Sequence, residues 1–120
     1  MITETPWGYY EDLFQYNSLS GEYKLRKLVI NPGARLSLQR HALRSEFWIV
    51  DSGIAEVQLR DRPEIFGIIE VFGVNESVSI PQHLTHRMKN IGNIPLVIIE
   101  TQWGDCRDDD IERFEDDYGR

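Results

Sequence analysis

Gly33-ARLSL-Gln39-R-His41-ALRS-Glu46-FWIVDS-Gly53 is the stretch that decides the fold of this chain. Its spacing is G-x5-Q-x-H-x4-E-x6-G. Side chains two apart on a strand share a face, so Gln39 and His41 can converge on one point. Glu46 follows across a turn and can return to that point from the next strand. A second segment, Pro81-QHLT-His86-RMK-Asn90, has the spacing P-x4-H-x3-N and supplies a further imidazole. Gln39, His41, Glu46 and His86 together form a nitrogen and oxygen donor set suited to one divalent ion of borderline or hard character.

Working outward, the chain reads as a series of short strands. Residues 23–30 (YKLRKLVI) carry a loose strand pattern that Asn31-Pro32-Gly33 ends. Further strands are expected near 35–41, 45–51, 54–60, 64–72, 77–80, 84–90 and 95–103. Asp51-Ser52-Gly53 reads as a hairpin turn, and Asn90-Ile91-Gly92-Asn93 as another. Short strands at this spacing predict an all-β sandwich or jelly roll. The one expected helix is C-terminal: Asp108 to Asp110 can cap it, Ile111 and Phe114 share a face, and Gly119 follows its end.

At 120 residues, 41% hydrophobic and 28% charged, one globular domain over residues 1–120 is the natural prior. No apolar run approaches the roughly 18 residues of a membrane span. The N-terminus lacks a secretory pattern, and the single Cys106 suits a reducing compartment, so a cytoplasmic location is expected. Net charge is −7, but residues 105–120 hold eight acids against three arginines. From Tyr23 to Ser45 there are six basic residues and no acid, running into the candidate metal site. That polarity predicts a small anionic substrate, with neither nucleic acid nor a membrane as partner. Apolar strands that need edge protection suggest a homodimer.

The two motifs resemble those of the cupin superfamily, with Gln39 where most cupins have their first histidine. PWGYYEDL, PGARLSLQRH followed by RSEFWIV, SIPQHLTHRMKNIGNIPL and the closing DDDIERFEDDYGR sharpen this. In that order they resemble the type II phosphomannose isomerase module, the cupin domain at the C-terminus of bifunctional mannose-6-phosphate isomerase and mannose-1-phosphate guanylyltransferase enzymes. The likeness runs from about Thr5 to Arg120. Because the module begins at Met1, a standalone domain without a nucleotidyltransferase is expected.

The resemblance implies a cupin fold (double-stranded β-helix or jelly roll) and interconversion of mannose 6-phosphate and fructose 6-phosphate with one divalent metal. Zinc heads the expectation, with manganese, cobalt or iron compatible. It assigns the metal to Gln39, His41, Glu46 and His86. Arg44, in an R-x-E phrase, and Arg120, in Y-G-R, are the catalytic candidates. Arg44 also serves for substrate charge, with Arg87 and Lys89 as further phosphate candidates. The family pattern carries histidines where this chain has Leu43 and Phe47, and glycine where it has His83. Loss of an imidazole at 47 predicts weak turnover, restored by Phe47→His, with His83 as a substitute proton carrier. The alternative is a repurposed cupin that binds a sugar phosphate or nucleotide-sugar, or partners a separate guanylyltransferase.

Overall fold

Turn residues and alternation divide the chain into eleven strands: β1 (Ile2–Thr5), β2 (Gly8–Ser18), β3 (Gly21–Ile30), β4 (Leu38–Arg40), β5 (Arg44–Ser52), β6 (Ala55–Arg60), β7 (Ile68–Phe72), β8 (Ser77–Ile80), β9 (Thr85–Asn90), β10 (Leu96–Gly104) and β11 (Glu112–Glu115). This computed structural model describes residues 1–120. One sheet has the order β1-β2-β3-β10-β5-β8 and the other β11-β4-β9-β6-β7, with every pairing antiparallel. The eight strands β3 to β10 divide as β3-β10-β5-β8 facing β4-β9-β6-β7, the jelly-roll arrangement expected from the sequence. Gly53, with φ of 91°, makes the β5–β6 turn, where a Cβ would meet Leu96 Cα at 3.1 Å. Asn90 fastens the β9–β10 turn: its amide nitrogen donates to the carbonyls of Ile30 and Ile94, and its amide oxygen accepts from Gly92 N–H.

The interior has an apolar end and a polar end, and each strand changes character along its length. The inward residues are Lys24 and Arg26 then Leu28 and Ile30 on β3; Arg44 and Glu46 then Trp48 and Val50 on β5; and Leu96 and Ile98 then Glu100 and Gln102 on β10. Register aligns these changes. Leu28 lies opposite Ile98, Arg26 opposite Glu100, and Gln102 opposite Glu46. The apolar end, with Trp48, Met88, Leu96 and Ile98, forms the core. Burying such apolar area stabilises by roughly 25 cal/mol per Å², which lets the other end hold a buried polar cluster.

The termini hold one unanticipated element and one failed expectation. Residues 2–18 form β1 and β2, a hairpin added to the sheet edge, although their alternation is too weak to announce it: most of β2 is exposed. The C-terminal helix does not exist. Residues Glu112–Glu115 instead pair with β4, Arg113 opposite Gln39, so edge pairing overrides local helical preference. The caps are otherwise engaged: Asp110 accepts the N–H groups of Ala42 and Leu43 at 3.0 and 2.9 Å. The strongly acidic tail neutralises the basic segment. Asp108 meets Lys24 and Arg26, Asp117 meets Arg35, and Glu112 meets Arg40. Lys27 pairs with Glu11 and Arg44 with Glu46, so the six basic residues of 23–45 are all paired and form no free anion-binding stripe.

Candidate metal centre

Local strand geometry brings the spaced residues together as anticipated. β4 carries Gln39 and the chain just beyond it His41, β5 carries Glu46, and β9 places His86 directly opposite Gln39. All four are buried. His41 Nε2 lies 3.4 Å from one Glu46 carboxylate oxygen, and His86 Nε2 lies 3.7 Å from the other. The three ligand atoms fall within 4.8 Å of one another. Two ligands on a tetrahedral ion at about 2.0–2.1 Å stand roughly 3.3 Å apart, so the spacing needs only a small contraction.

Backbone carbonyls set both tautomers. His41 Nδ1–H donates to Asp110 O at 2.6 Å and His86 Nδ1–H to Leu84 O at 2.8 Å, leaving each Nε2 lone pair facing the centre. His86 Nε2 is fully buried with no hydrogen-bond partner. An orphaned buried acceptor is costly unless something fills it, and an ion would. Burial, then the Arg44 charge, pushes the His41 imidazole down to about 4, and burial also lowers His86. Both rings are therefore neutral at pH 7, the state that ligates. Protons compete with the ion only near the lowered values. Metal affinity is thus expected to hold as pH falls through the ordinary imidazole range near 6.5 and to drop only below it, checked by equilibrium dialysis; a loss beginning near pH 6.5 would mean ordinary imidazoles.

Gln39 is adjacent but turned. Its amide nitrogen lies 3.4 Å from His41 Nε2, and its oxygen accepts from Ser37 Oγ at 2.7 Å. Because a hydroxyl can accept as well as donate, rotating the amide by 180° would present oxygen to the centre and keep the Ser37 bond. Arg44 is buried, with Nε 2.8 Å from Glu46 Oε2 and Nη2 3.4 Å from His41 Nε2.

A cavity of about 140 Å³ reaches the centre only at Gln39 and Arg44, since His41, Glu46 and His86 do not line it, and Glu100, Arg26, Arg113 and Arg120 are among its other walls. Arg120 sits at it, paired with Asp116 at 3.0 Å. The other sequence candidates do not. His83 is exposed in the left-handed region, φ 69°, and its N–H donates to the His41 carbonyl at 2.8 Å. That conformation explains a glycine preference there and gives the side chain no route to the cavity. Arg87, one residue from His86, lies on the opposite strand face and bonds Leu36 O, Glu115 O and Glu115 Oε1. Lys89 shares that face, and neither lines the cavity. Phe47 alternates away from Glu46, so a histidine there would point away from the donor set, and Phe47→His is expected to restore nothing.

Glu100 was missed. Its oxygens accept from Trp48 Nε1 at 3.0 Å and from Gln102 Nε2, and Trp48 Nε1 also reaches Glu46 Oε1 at 3.2 Å. Burial, then the neighbouring Glu46 charge, pushes its carboxyl above the usual range, with Arg44 opposing. The signal was present: Leu96, Ile98, Glu100 and Gln102 alternate, so one face begins apolar and ends in an acid and an amide.

The sequence profile described as "Mannose-6-phosphate isomerase C-terminal" matches residues 2–116. The chain is 44% identical over 116 residues to the xanthan biosynthesis protein XanB of Xanthomonas campestris pv. campestris, covering 96% of this chain and 23% of XanB. It thus spans less than a quarter of the length of the curated relatives it matches. Its fold is similar to the capsular polysaccharide assembling protein CapF of Staphylococcus aureus, with TM-score 0.83 and 20% identity over 96% of this chain and 34% of CapF. It is also similar, with TM-score 0.56 and 17% identity, to a sugar phosphate isomerase of the cupin superfamily from Silicibacter pomeroyi, covering 67% of this chain and 49% of that one. With both motifs, the jelly roll and the matched profile in agreement, the chain belongs to the mannose-6-phosphate isomerase C-terminal family and is a cupin domain.

Proposed function

We propose that this domain is a metal-dependent aldose-ketose isomerase that interconverts mannose 6-phosphate and fructose 6-phosphate. The observation that carries this is the neutral, backbone-oriented His41–Glu46–His86 donor set beside a cavity holding Arg44 and the buried Glu100. Two imidazoles and one carboxylate with an open position favour zinc, and manganese, cobalt and iron also fit. When bound, the ion supplies Lewis-acid polarisation of sugar oxygens. Arg44 holds Glu46 in place and offers positive charge to the reacting oxygens. Glu100 takes the proton from C2 of the open-chain aldose and returns it to C1, while a hydroxyl proton passes from O2 to O1. Trp48 Nε1–H and the Gln102 amide fix the orientation of that carboxylate.

A coupled assay of the metal-reconstituted protein with mannose 6-phosphate tests the reading. Metal-dependent formation of fructose 6-phosphate is expected, and a fully loaded protein without turnover would reject catalysis. The proposed homodimer would form through the edge strand β7, where Ile68, Ile69 and Val71 are exposed.

A further inference from the structure

We propose that Arg113, assisted by Arg120, binds the phosphate group of the phosphosugar at the open side of the cavity; this rests on the phosphosugar reading above. Four arginines line the cavity: Arg26, Arg44, Arg113 and Arg120. Three are neutralised by carboxylates. Arg26 pairs with Asp12 and Asp108, Arg44 with Glu46, and Arg120 with Asp116. Arg113 makes no ion pair and no side-chain hydrogen bond, so its whole donor fork is free. A planar guanidinium with free donors is the group best matched to two oxygens of one phosphate.

Its position follows from strand register. Arg113 on β11 lies opposite Gln39 on β4, which lies opposite His86 on β9. Directly opposed residues in a sheet share a face, so these three side chains form one row, in which Arg113 and Gln39 line the cavity and His86 lies one strand further in. Two interstrand steps of about 4.8 Å put Arg113 and His86 Cα atoms roughly 10 Å apart. That separation suits an extended six-carbon chain with its reacting carbons at the metal end and its phosphate at the other.

Arg120 completes the pair. Its Nε and Nη2 are held by Asp116 at 3.0 and 3.2 Å, which leaves Nη1 for a ligand oxygen. Partial burial and the Arg120 charge hold the Arg113 guanidinium below its ordinary value, as expected of a cation without a counter-charge. Arg87 and Lys89 are on the other face and contribute nothing to this site.

The test is calorimetric titration of metal-loaded protein with mannose 6-phosphate, inorganic phosphate and mannose, alongside the isomerase assay. Arg113→Ala should weaken binding of mannose 6-phosphate and of inorganic phosphate by about 10- to 100-fold, the range for losing charge-assisted hydrogen bonds. Metal content should be unchanged, Arg113→Lys should recover part of the affinity, and Lys89→Ala should behave as wild type. Wild-type affinity for both anions in Arg113→Ala would overturn the assignment even if the isomerase is active. An inactive wild type whose phosphosugar binding still depends on Arg113 would instead overturn the isomerase and leave the phosphate site standing. A wild type that binds neither anion would overturn both.

Discussion

Glu100→Gln should lower isomerase turnover by about 10²- to 10⁴-fold, the usual contribution of a positioned acid or base, while metal content and phosphosugar affinity remain near wild type. The substitution keeps the shape of the side chain. Its amide oxygen can still accept from Trp48 Nε1, which lies 3.0 Å from one carboxylate oxygen. It removes a buried charge that burial and Glu46 already disfavour, so the fold should be unharmed. The new amide nitrogen replaces the oxygen that accepts from Gln102 Nε2, and Gln102 can turn its own unpartnered amide oxygen toward it, so the main loss is the ability to take up and return a proton. Steady-state rates with matched metal analysis check this. A variant with full metal and turnover within about threefold of wild type would remove Glu100 from proton transfer.

His86→Ala should abolish tight metal binding, taking the ion from about one per chain to near zero after dialysis. Removing only a hydrogen-bond partner of a ligand costs roughly 10- to 100-fold in affinity, so removing a ligand should cost more. Loss of a buried side chain also leaves a cavity, and melting must be read with and without metal. In wild type, an ion at 100 times its Kd adds about 2.7 kcal/mol of stability. The variant should melt at the same temperature in both conditions. Glu46→Gln is the companion test, because alanine there would strand the buried Arg44 cation, whose Nε lies 2.8 Å from Glu46 Oε2. Full metal content in a folded His86→Ala protein would place the ion elsewhere.

The two predictions draw on residues of different legibility. His41, Glu46 and His86 could be placed from spacing alone, because the period of two within a strand and a short turn between strands determine which side chains face inward. Glu100 could have been read from its alternation with Ile98, but burial in a network with Trp48 and Gln102 depends on the register between β10 and β5. The proton-carrier positions that the family resemblance suggested, His83 and position 47, both lie away from the cavity, for different reasons. One sits in a left-handed turn, and the other is one residue out of phase with Glu46.

The acidic tail shows the same division. Its charge was plain in the sequence, and a helical pattern was the natural local reading. Pairing with β4 made it a strand, and its carboxylates then took up Lys24, Arg26, Arg35 and Arg40. That consumed the basic segment expected to meet an anion and left Arg113 as the unpaired cavity arginine. Composition, turn signals and side-chain alternation, which act within a few residues, thus determined the all-β class, the jelly roll and three buried donors. Which carboxylate faces the cavity, which arginine is free and whether the tail is helix or strand were decided only by tertiary structure. They depend on distant partners, as in Trp48 with Glu100, 52 residues apart, Arg26 with Asp108, 82 apart, and Arg113 opposite Gln39, and no local pattern encodes such pairings.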